Sequence, residues 1–584
     1  MNVKCLLSLL CLFVIIISCK QGDGNNAISE NNWLVPDSIK ILQNPVMDDK
    51  MLDNGKALFR IYCSTCHGLG GRGDGAAGQA MGSQPADLLS EGVQDQTHGE
   101  LFYKITKGKV VMPSFQELLS EEQRWYLVGF IKNLTQFSEK ELDQKVPESL
   151  VPDIDIEYFT KVVPRAVRIW KGPNNYLWYA TIDGEIYRLP IENSHQLEKI
   201  LEVSDHGIGR LQGATMHGGE LYLSGNIRVN DNKGTQGRMV RISWDSAGNA
   251  KSEVVFTTEE YGTTNTPFDH GWSALQVSGD GKYIFVVSGS RTDHGEVQDN
   301  LGAYPNSRDV ALTSKIFRIP IDAVNLLLPD NLEFLKEKGY LYAEGLRNAY
   351  DLALDEEGRL LAVVNSGDYD QNDDMFWIRE GHHYGYPWIM GDLESPQQFS
   401  DWIPDPGKDP FLNTGAAAWP DDFYNDPTFP KKPQGVDFGK SIINYGPDSD
   451  KFRDETTGEV QDASNLGVGM RTFTPHSSPL GLVLDNDQAL PGRFKGKAFV
   501  ARYTNGQKSA LMQPFTQNGE DLLLLDLKYL PEEENFQLNA HRVAKGFSQP
   551  VDAVLVDGFL YVIEYGGRER GGNIWKMSFN PNSY

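Results

Sequence analysis

The sequence is short of positive charge. Among its 584 residues, 54 are Lys or Arg and 80 are Asp or Glu, which gives a formal net charge of −26 at pH 7. Proteins that bind nucleic acid need clustered Lys and Arg to neutralise phosphates. The composition therefore argues against a nucleic-acid partner. At this length the chain is expected to fold as two or more domains.

Long apolar runs are also scarce, and the first one has a specific form. Residues 1–18 start with a basic tetrapeptide and continue as CLLSLLCLFVIIIS, which is typical of a secretory signal peptide. The run ends in IISC, which resembles the lipobox of bacterial lipoproteins and makes Cys19 the lipidated first residue of the mature chain. An uncleaved membrane anchor is the alternative interpretation. Both predict a protein outside the cytoplasm and tethered to a membrane, on the periplasmic or outer-membrane side of a Gram-negative-type cell envelope.

Cysteine is rare as well, and the five cysteines all lie before residue 67. Two leave with the signal peptide and Cys19 carries lipid, so Cys63 and Cys66 remain in an oxidising compartment. A four-ligand zinc site has no second cysteine pair, and the βαβ pattern that surrounds a thioredoxin-like pair is missing. Cys63, Cys66 and His67 form C-x-x-C-H, the attachment signature of c-type haem. We expect two thioether bonds and a histidine ligand to iron.

Helical patterns lie on both sides of this motif. Residues 53–67 have apolar side chains at a helical spacing that leads into the motif, and residues 119–134 read LSEEQRWYLVGFIKNL, with Ser120 as a helix start. Residues 50–135 as a whole resemble class I cytochromes c.

The resemblance to cytochromes c also suggests the sixth iron ligand. Met112 in VVMPSF lies between the haem motif and the last helix, which is the usual axial position in that family. Met81 and His98 are the alternatives. Methionine ligation raises the reduction potential of the haem and suits an electron acceptor.

Composition divides the remainder of the chain. Residues 19–48 are polar and rich in Asn, Gly and Gln, which predicts a flexible tether. Residues 136–154 are charged and predict a linker. Residues 155–584 contain many short strand patterns, among them GEIYRLPI, RMVRISWD, SKIFRIPI and NIWKMSF. Their repetition predicts a β-propeller; a sandwich or a solenoid is the alternative, but the region is too long for one sandwich.

A longer motif in this region resembles a known enzyme family. Residues 345–388, GLRNAYDLALDEEGRLLAVVNSGDYDQNDDMFWIREGHHYGYPW, together with SSPLGL and QPVDAVLVDGFLYV further along, are similar to glucose/sorbosone dehydrogenases. Those enzymes are six-bladed propellers that hold pyrroloquinoline quinone (PQQ) and calcium and oxidise aldoses. The resemblance implies a mainly β chain, with a six-bladed propeller following a small all-α cytochrome c domain, and a loop-rich insertion near residues 390–470.

The same resemblance implies roles for individual residues. It makes His270 the catalytic base, Arg347 an electrostatic partner of the quinone, Asn348 and Arg502 cofactor contacts, and Asp368 and Tyr369 part of a calcium-binding turn.

Several positions depart from the family pattern. Ser290 stands where the family has the aspartate that orients the base, although Asp293 follows closely. Ile208 replaces a glutamine that touches the cofactor, with Gln212 nearby, and two late arginines are missing from FSQPVD. Because PQQ carries three carboxylates, loss of cationic partners is expected to weaken its binding.

Two functions follow from these patterns. In the first, the propeller oxidises a sugar or related alcohol with PQQ and passes electrons to the covalent haem c and then to a redox partner of the respiratory chain. Fusing donor and acceptor makes that transfer intramolecular. In the second, the propeller has lost the quinone and binds a carbohydrate or a protein, and the cytochrome is an electron relay.

Overall fold

The computed structural model describes two regions of the chain, a helical region and a β region. The described residues are 33–46, 51–68, 70–75, 85–109, 112–116, 118–134, 146–192, 196–264, 266, 268–412, 423–424, 426–504, 514–515, 519–567 and 571–580. Residues 1–18, Cys19 and Met81 lie outside them. Of the helices in these ranges, none has both the length and the apolar character that a membrane span requires.

Over the described part of residues 33–134, the helical region contains the two helices that the sequence predicts and four more. The helices are α1 (Asp37–Lys40), α2 (Met51–Tyr62), α3 (Ser64–His67), α4 (Glu91–Gln94), α5 (His98–Lys107) and α6 (Glu121–Lys132). Ser120 caps α6 in a reciprocal capping box with Gln123, as its position predicts. Helix α5, which was not predicted, starts with a capping box of its own between Thr97 and Glu100.

Helices α2 and α6 pack closely because α2 contains a glycine at the crossing. A Cβ at Gly55 would lie 2.3 Å from the Tyr126 carbonyl oxygen, so no larger residue fits without moving the backbone. Phe59 and Phe130 meet beside it with ring centroids 5.2 Å apart. This buried contact fixes the two helices that bracket the haem motif.

The prediction of a flexible tether over residues 19–48 is wrong for its last part. Val35 is buried, and the Asn44 side chain donates a 2.9 Å hydrogen bond to the Trp125 carbonyl of α6. The segment lies so close to α5 that a Cβ at Gly99 would collide with the Ile39 carbonyl oxygen. The segment is polar overall, but a few apolar and amide side chains, among them Val35 and Asn44, pack it on the helical region.

The β region, residues 148–580, is built from short strands. In chain order they are β1 (Glu148–Ser149), β2 (Ile154–Lys161), β3 (Ala166–Gly172), β4 (Tyr176–Thr181), β5 (Ile186–Pro190), β6 (Glu198–Leu201), β7 (Arg210–His217), β8 (Glu220–Val229), β9 (Gly234–Trp244), β10 (Ala250–Thr258), β11 (Tyr261–Gly262), β12 (Trp272–Val277), β13 (Tyr283–Ser288), β14 (Lys315–Pro320), β15 (Leu326–Leu328), β16 (Leu341–Glu344), β17 (Asn348–Leu354), β18 (Leu360–Asn365), β19 (Asp374–Ile378), β20 (Ile389–Met390), β21 (Leu393–Glu394), β22 (Ile443–Asn444), β23 (Lys451–Arg453), β24 (Val460–Asp462), β25 (Met470–Arg471), β26 (Pro479–Leu484), β27 (Ala498–Arg502), β28 (Asp521–Leu530), β29 (Asn535–Lys545), β30 (Pro550–Val556), β31 (Phe559–Glu564) and β32 (Asn573–Phe579). Short helices α7 (Val203–His206), α8 (Leu332–Glu337) and α9 (Ala463–Leu466) interrupt them.

These strands form a propeller arrangement, which confirms the predicted architecture in its coarse form. In each sheet, one terminal strand lies nearest the propeller axis, and we call it the first strand of that sheet. The first strands of successive sheets pack against one another in a closed order, β3, β7, β12, β17, β26, β30 and back to β3. Within the described residues, five sheets have four or more strands, whereas six full blades were predicted; the sheet of β17, β18 and β19 has three strands. The repeated strand patterns in the sequence, such as GEIYRLPI and NIWKMSF, are the third strands β5 and β32.

The two ends of the β region meet in one sheet. Strand β2 pairs antiparallel with β32, from Ile154 opposite Phe579 to Lys161 opposite Asn573. Strand β1 pairs with β29, so the strand pairing starts inside the segment 136–154 that was predicted to be a linker. Charged residues at an exposed sheet edge have the same composition as a linker, which explains the misplaced boundary.

A buried ion cluster joins the first strands near the propeller axis. The Arg168 guanidinium of β3 lies 3.0 Å from the Asp351 carboxylate of β17 and 3.9 Å from that of Asp552 in β30. Burial raises the pKa of Asp552 to about 7, although Arg168 opposes the shift. One cation therefore holds three sheets at equivalent positions of their first strands.

Candidate functional site

The haem motif lies at the end of α2 and in α3. Cys63 and Cys66 are half-buried, and burial raises the pKa of both thiols to about 12. His67 Nδ1 lies 3.0 Å from the Ala86 carbonyl oxygen. Because a carbonyl only accepts, Nδ1 carries the proton and Nε2 is the nitrogen available to an iron ion. The residues present fit a covalent haem with a histidine ligand.

Met112 and His98 differ in their surroundings. Met112 closes a turn through two backbone hydrogen bonds with Lys109, of 2.8 and 3.0 Å, and packs on the same apolar core as Cys63. His98 is the first residue of α5, and its Nδ1 accepts a 3.2 Å hydrogen bond from the Asn44 backbone N–H. The structure thus gives His98 a partner within the helical region.

His270 lies just before β12, at the end of the propeller where the first strands begin. Its Nδ1 is 3.1 Å from the Ser290 carbonyl oxygen and 3.2 Å from the Ser290 hydroxyl, which itself donates to the Thr292 carbonyl. Nδ1–H therefore donates to Ser290 and leaves Nε2 as an acceptor. Burial, and then the positive charge of Arg347, hold the pKa of His270 well below its usual 6.5, so the imidazole is neutral at pH 7. We call this end of the propeller the His270 face.

Arg347 is a buried cation fixed by the loop that follows Ser290. Its Nε donates to the Asp293 carbonyl at 2.6 Å, its Nη1 to the Ser366 carbonyl at 2.6 Å, and its Nη2 to the Asp293 carboxylate at 2.8 Å. Asp293 thus holds Arg347, whereas Ser290 orients His270. Burial would raise the pKa of Asp293, but Arg347 and His294 lower it to about 2.

His294 extends this network into the insertion. Its Nδ1 lies 3.0 Å from the Asp293 carboxylate and its Nε2 lies 2.8 Å from the Phe423 carbonyl. The carboxylates of Glu296 and Asp293 raise the pKa of His294 despite its burial. With both ring nitrogens facing acceptors, the imidazolium form is favoured.

Asn348 lies against His270 through a glycine. A Cβ at Gly289 would be 2.5 Å from the His270 Cβ and 3.0 Å from Asn348 Oδ1. Gly289 is thus the spacer that lets these two predicted site residues approach each other, and any side chain there would separate them.

Three arginines that the sequence analysis did not assign lie on the His270 face. Arg165 precedes β3, Arg210 starts β7 and Arg228 ends β8; we call them the arginine cluster. Two have carboxylate partners, since Arg165 pairs with Asp183 at 2.5 Å and Arg228 with Asp269 at 3.3 Å.

Arg210 is the exception in this cluster. Among the residues the structure describes, it pairs with no carboxylate and makes one long hydrogen bond, 3.4 Å, to the Asp269 carbonyl. Burial, and then the charge of Arg228, lower the pKa of Arg210 to about 10. The sequence signal for this residue is a positive charge at the first position of an innermost strand, two residues after Ile208.

The structure also places Ile208, which replaces a glutamine of the family pattern, and the nearby Gln212. Ile208 is fully buried in an apolar cluster. Gln212 lies beside Gly271, since a Cβ there would be 2.7 Å from Gln212 Oε1, and that oxygen is buried without a hydrogen-bond partner in the part of the chain the structure describes. Gln212 is therefore one of the amides close to Gly271, the residue that follows His270.

Arg502 lies in a separate ion pair. Its Nε and Nη2 donate to the two oxygens of Asp521 at 2.8 and 2.6 Å, and its Nη1 donates to the Ser449 hydroxyl. The fully buried guanidinium is neutralised by this bidentate pair. The structure thus gives Arg502 a partner inside the protein rather than an open charge.

The acidic turn that was predicted to bind calcium is occupied by protein contacts. Asp368 is buried with its backbone N–H 3.1 Å from the Asp293 carboxylate, and the Tyr369 hydroxyl donates to Asp409 at 3.0 Å. Asp370 accepts from Arg453 at 2.6 Å and His476 at 2.8 Å. Over the described ranges, no group of three or more His, Cys, Asp or Glu side chains is arranged to hold a metal ion. Asp370 is thus balanced by Arg453 and His476, and calcium stays a prediction.

Two family models match separate parts of the chain. Residues 50–131 match the family described as cytochrome c oxidase, cbb3-type, subunit III, and residues 172–406 match the family described as glucose/sorbosone dehydrogenase. A curated relative, the cbb3-type cytochrome c oxidase subunit FixP of Sinorhizobium medicae, is 28% identical over 110 residues, which are 17% of this chain and 35% of the relative. The chain thus spans about a third of that relative's length.

Solved structures resemble the β region at low identity. The soluble aldose sugar dehydrogenase of Escherichia coli in its apo form has a TM-score of 0.46 and 15% identity, covering 73% of this chain and 100% of that one. The PQQ-bound aldose sugar dehydrogenase of Streptomyces coelicolor has a TM-score of 0.43 and 14% identity, covering 74% and 99%. Two separate parts of the chain are therefore similar to different families, residues 50–131 to a cytochrome c family and residues 172–406 to glucose/sorbosone dehydrogenases.

Proposed function

We propose that the protein oxidises a sugar, such as an aldose, or a related alcohol at the His270 face and passes the electrons to a haem c held by Cys63, Cys66 and His67. The observation that carries the proposal is the state of His270. Its Nδ1 is fixed by Ser290, its Nε2 is an unprotonated acceptor, and the buried Arg347 lies near enough to lower the pKa of the ring.

His270 takes the proton of the substrate hydroxyl in this proposal. A neutral imidazole accepts a proton at Nε2 while its Nδ1–H stays bound to Ser290. Arg347 helps to keep the ring neutral before the reaction, because its positive charge disfavours the imidazolium. Asp293 in turn holds Arg347 in place.

The His270 face fits an anionic quinone such as PQQ. Arg210 is a cation without a carboxylate partner among the described residues, and Gln212 Oε1 is a buried acceptor without a donor. Arg210 and Gln212 would hold the cofactor, with Arg228 adding positive charge and Asn348 lying next to His270. PQQ, when bound, supplies the two-electron acceptor for the alcohol. Arg502, which is paired with Asp521, is left out of this set.

The proposal also includes a sixth blade, a lipid anchor at Cys19 and a second axial haem ligand. We take the three-stranded sheet of β17, β18 and β19 as the sixth blade, because β17 occupies its place in the closed order of first strands. Lipidation of Cys19 would anchor the protein in the cell envelope, where a one-electron acceptor of the respiratory chain would reoxidise the haem. The Met112 thioether is proposed as the second axial ligand.

A binding function without PQQ is the second candidate. It is favoured by the protein contacts of Arg347 and Arg502, whose donors meet carbonyl and carboxylate oxygens of the chain. In that case the propeller would bind a carbohydrate or a protein partner, and the cytochrome would relay electrons from another source.

The test starts from the protein produced in a periplasm that attaches haem c. PQQ, with and without calcium, is added, a panel of aldoses and polyols is offered, and reduction of the haem is followed by its absorption. Haem reduction that requires both substrate and PQQ supports the enzyme, and a His270→Ala variant should lose it. Absence of reduction together with absence of PQQ binding would leave the binding module as the function.

Binding of PQQ alone tests the role of Arg210. We expect Arg210→Gln to weaken PQQ binding about tenfold to a hundredfold, as for loss of a hydrogen bond to a charged group, when binding is measured by titration calorimetry without substrate. Arg188→Gln, at an exposed arginine paired with Glu198, is the matched control. Equal affinity in both variants would exclude Arg210 from the cofactor site.

A further inference from the structure

The turn that follows the haem motif folds back onto it. The Gly73 N–H donates to the His67 carbonyl at 2.8 Å, and the Gly75 N–H donates to the Cys66 carbonyl at 3.1 Å. Between them, Asp74 lies so close to the motif that a Cβ at Gly68 would be 1.6 Å from Asp74 Oδ1. The carboxylate of Asp74 is therefore placed directly beside the haem-binding residues.

The other oxygen of Asp74 lies close to the propeller. A Cβ at Gly567 would lie 3.4 Å from Asp74 Oδ2, which is an ordinary van der Waals contact. Gly567 follows the end of β31 by three residues and has a φ of +65°. Asp74 thus connects the haem motif to the loop after β31.

This loop belongs to the His270 face. The Tyr565 N–H donates to the Gln549 carbonyl just before β30, and the Tyr565 carbonyl accepts from the Arg165 N–H at 2.8 Å. The Tyr565 hydroxyl accepts from Arg165 Nε at 3.3 Å. Arg165 precedes β3 as His270 precedes β12, so both lie at the end of the propeller where first strands begin. The contact with Asp74 therefore forms on the face that carries the candidate site.

We propose that Asp74 is a positioning residue that seats the haem motif on the His270 face, and that the chain's own haem is the first electron acceptor of the propeller. The inference rests on the proposed function. Oxidation of an alcohol to a carbonyl releases two electrons and two protons, and each ferric haem takes one electron. Two successive haem reductions, each followed by reoxidation by an external one-electron acceptor, therefore balance one turnover. The seating replaces a bimolecular encounter by a contact within one chain.

The test introduces a like charge opposite Asp74. Gly567→Glu places a second carboxylate at the contact, whereas Gly567→Ala adds only the methyl group that fits at 3.4 Å. Gly546→Glu is the matched control, since Gly546 also has a positive φ, of +84°, and no atom within 4 Å of an added Cβ. The same backbone strain and the same charge are thereby introduced away from Asp74.

Two rates are measured on the haem-loaded protein with PQQ. Reduction of the haem by substrate, followed by stopped-flow absorption, should fall at least about tenfold in Gly567→Glu, because the effective concentration of the acceptor is lost. Oxidation of the substrate by a small dye that bypasses the haem should stay within about twofold of the parent. The second substitution Asp74→Asn should restore haem reduction in Gly567→Glu, because it removes the repulsion. Equal haem reduction in Gly567→Glu and Gly546→Glu would overturn the proposal.

A structural measurement separates this proposal from the proposed function. Small-angle X-ray scattering of the haem-loaded protein, prepared without quinone, should give a larger radius of gyration for Gly567→Glu than for the parent and for Gly546→Glu. If substrate is not oxidised even with the dye, the proposed function fails, whereas the scattering experiment still tests whether Asp74 seats the haem motif on the His270 face. An unchanged radius of gyration in Gly567→Glu would refute that role of Asp74.

Discussion

Asp374 provides a pH-dependent prediction that depends on one buried carboxyl group. It starts β19 opposite Val364, and its side chain is buried. One oxygen accepts a 2.9 Å hydrogen bond from the Gly391 N–H, and the other has no hydrogen-bond partner among the described residues. Burial raises the pKa of Asp374 from 3.8 to about 7, against the opposing effect of Gly391.

The sign and the size of the effect follow from proton linkage. Between the two pKa values the folded protein holds a proton that the unfolded chain has lost, so stability falls as the pH rises from about 4 to about 7. A tenfold change in proton affinity corresponds to about 1.4 kcal/mol, so the full cost of ionised Asp374 is about 4 kcal/mol. Most of it, about 2 to 3 kcal/mol, develops between pH 5 and pH 8.

The variant Asp374→Asn removes the titrating group and keeps an oxygen to accept from Gly391. At pH 8 we expect it to be more stable than the parent by about 1 to 3 kcal/mol, and at pH 5 the difference should shrink to less than about 1 kcal/mol. Urea unfolding followed by the circular dichroism of the strands, at both pH values, measures this. Asp245→Asn at an exposed loop is the control, because the pKa of Asp245 is lowered and lies outside this window. An Asp374→Asn variant with the parent's pH dependence would refute the reasoning.

The remaining predictions concern the haem ligand and the propeller axis. Met112→His should lower the reduction potential of the haem by at least about 100 mV, because a thioether favours the ferrous state more than an imidazole does. Potentiometry measures this change, with Met81→Leu as the control. An unchanged potential in Met112→His would exclude Met112 as an iron ligand. Arg168→Met should destabilise the β region by about 3 to 5 kcal/mol in urea unfolding, because it leaves Asp351 and Asp552 buried without their cation. Arg188→Met, at an exposed pair with Glu198, should change stability by less than about 1 kcal/mol; equal effects of the two substitutions would contradict the prediction.

Local patterns predicted the elements of the fold well and the boundaries poorly. The alternation in RMVRISWD and SKIFRIPI is a property of single strands, and both are strands, β9 and β14. The C-x-x-C-H spacing and Ser120 likewise depend on neighbours in sequence. The packing of Val35 and Asn44 on the helical region and the pairing of β1 with β29 depend on partners about 80 and 400 residues away. Patterns within one segment carry no information on such contacts.

The same limit applies to the candidate site. Sequence comparison placed His270 and Arg347 in it, and they do share the His270 face. It could not show that Ser290 supplies the hydrogen-bond partner of His270 through its backbone carbonyl, since every residue has that group. Nor could it show that Asp293, three residues later, binds Arg347 instead of His270. In this loop the backbone carbonyl of Ser290 binds the imidazole of His270. A side chain at one aligned position therefore does not reveal which residue orients the ring.

The overall charge and the local charge of this protein have opposite signs, and the contrast bears on its ligands. A net charge of −26 repels anions at long range, but such repulsion is screened beyond about 8 Å at physiological ionic strength. Inside the His270 face an anion would meet Arg210, which has no carboxylate partner among the described residues, and Arg228 nearby. At that range the half-buried cations outweigh the distant carboxylates, because interactions within a partly dehydrated site are screened far less than those across solvent. An acidic protein can therefore select an anionic ligand, provided that the ligand reaches the face where Arg210 lies half-buried.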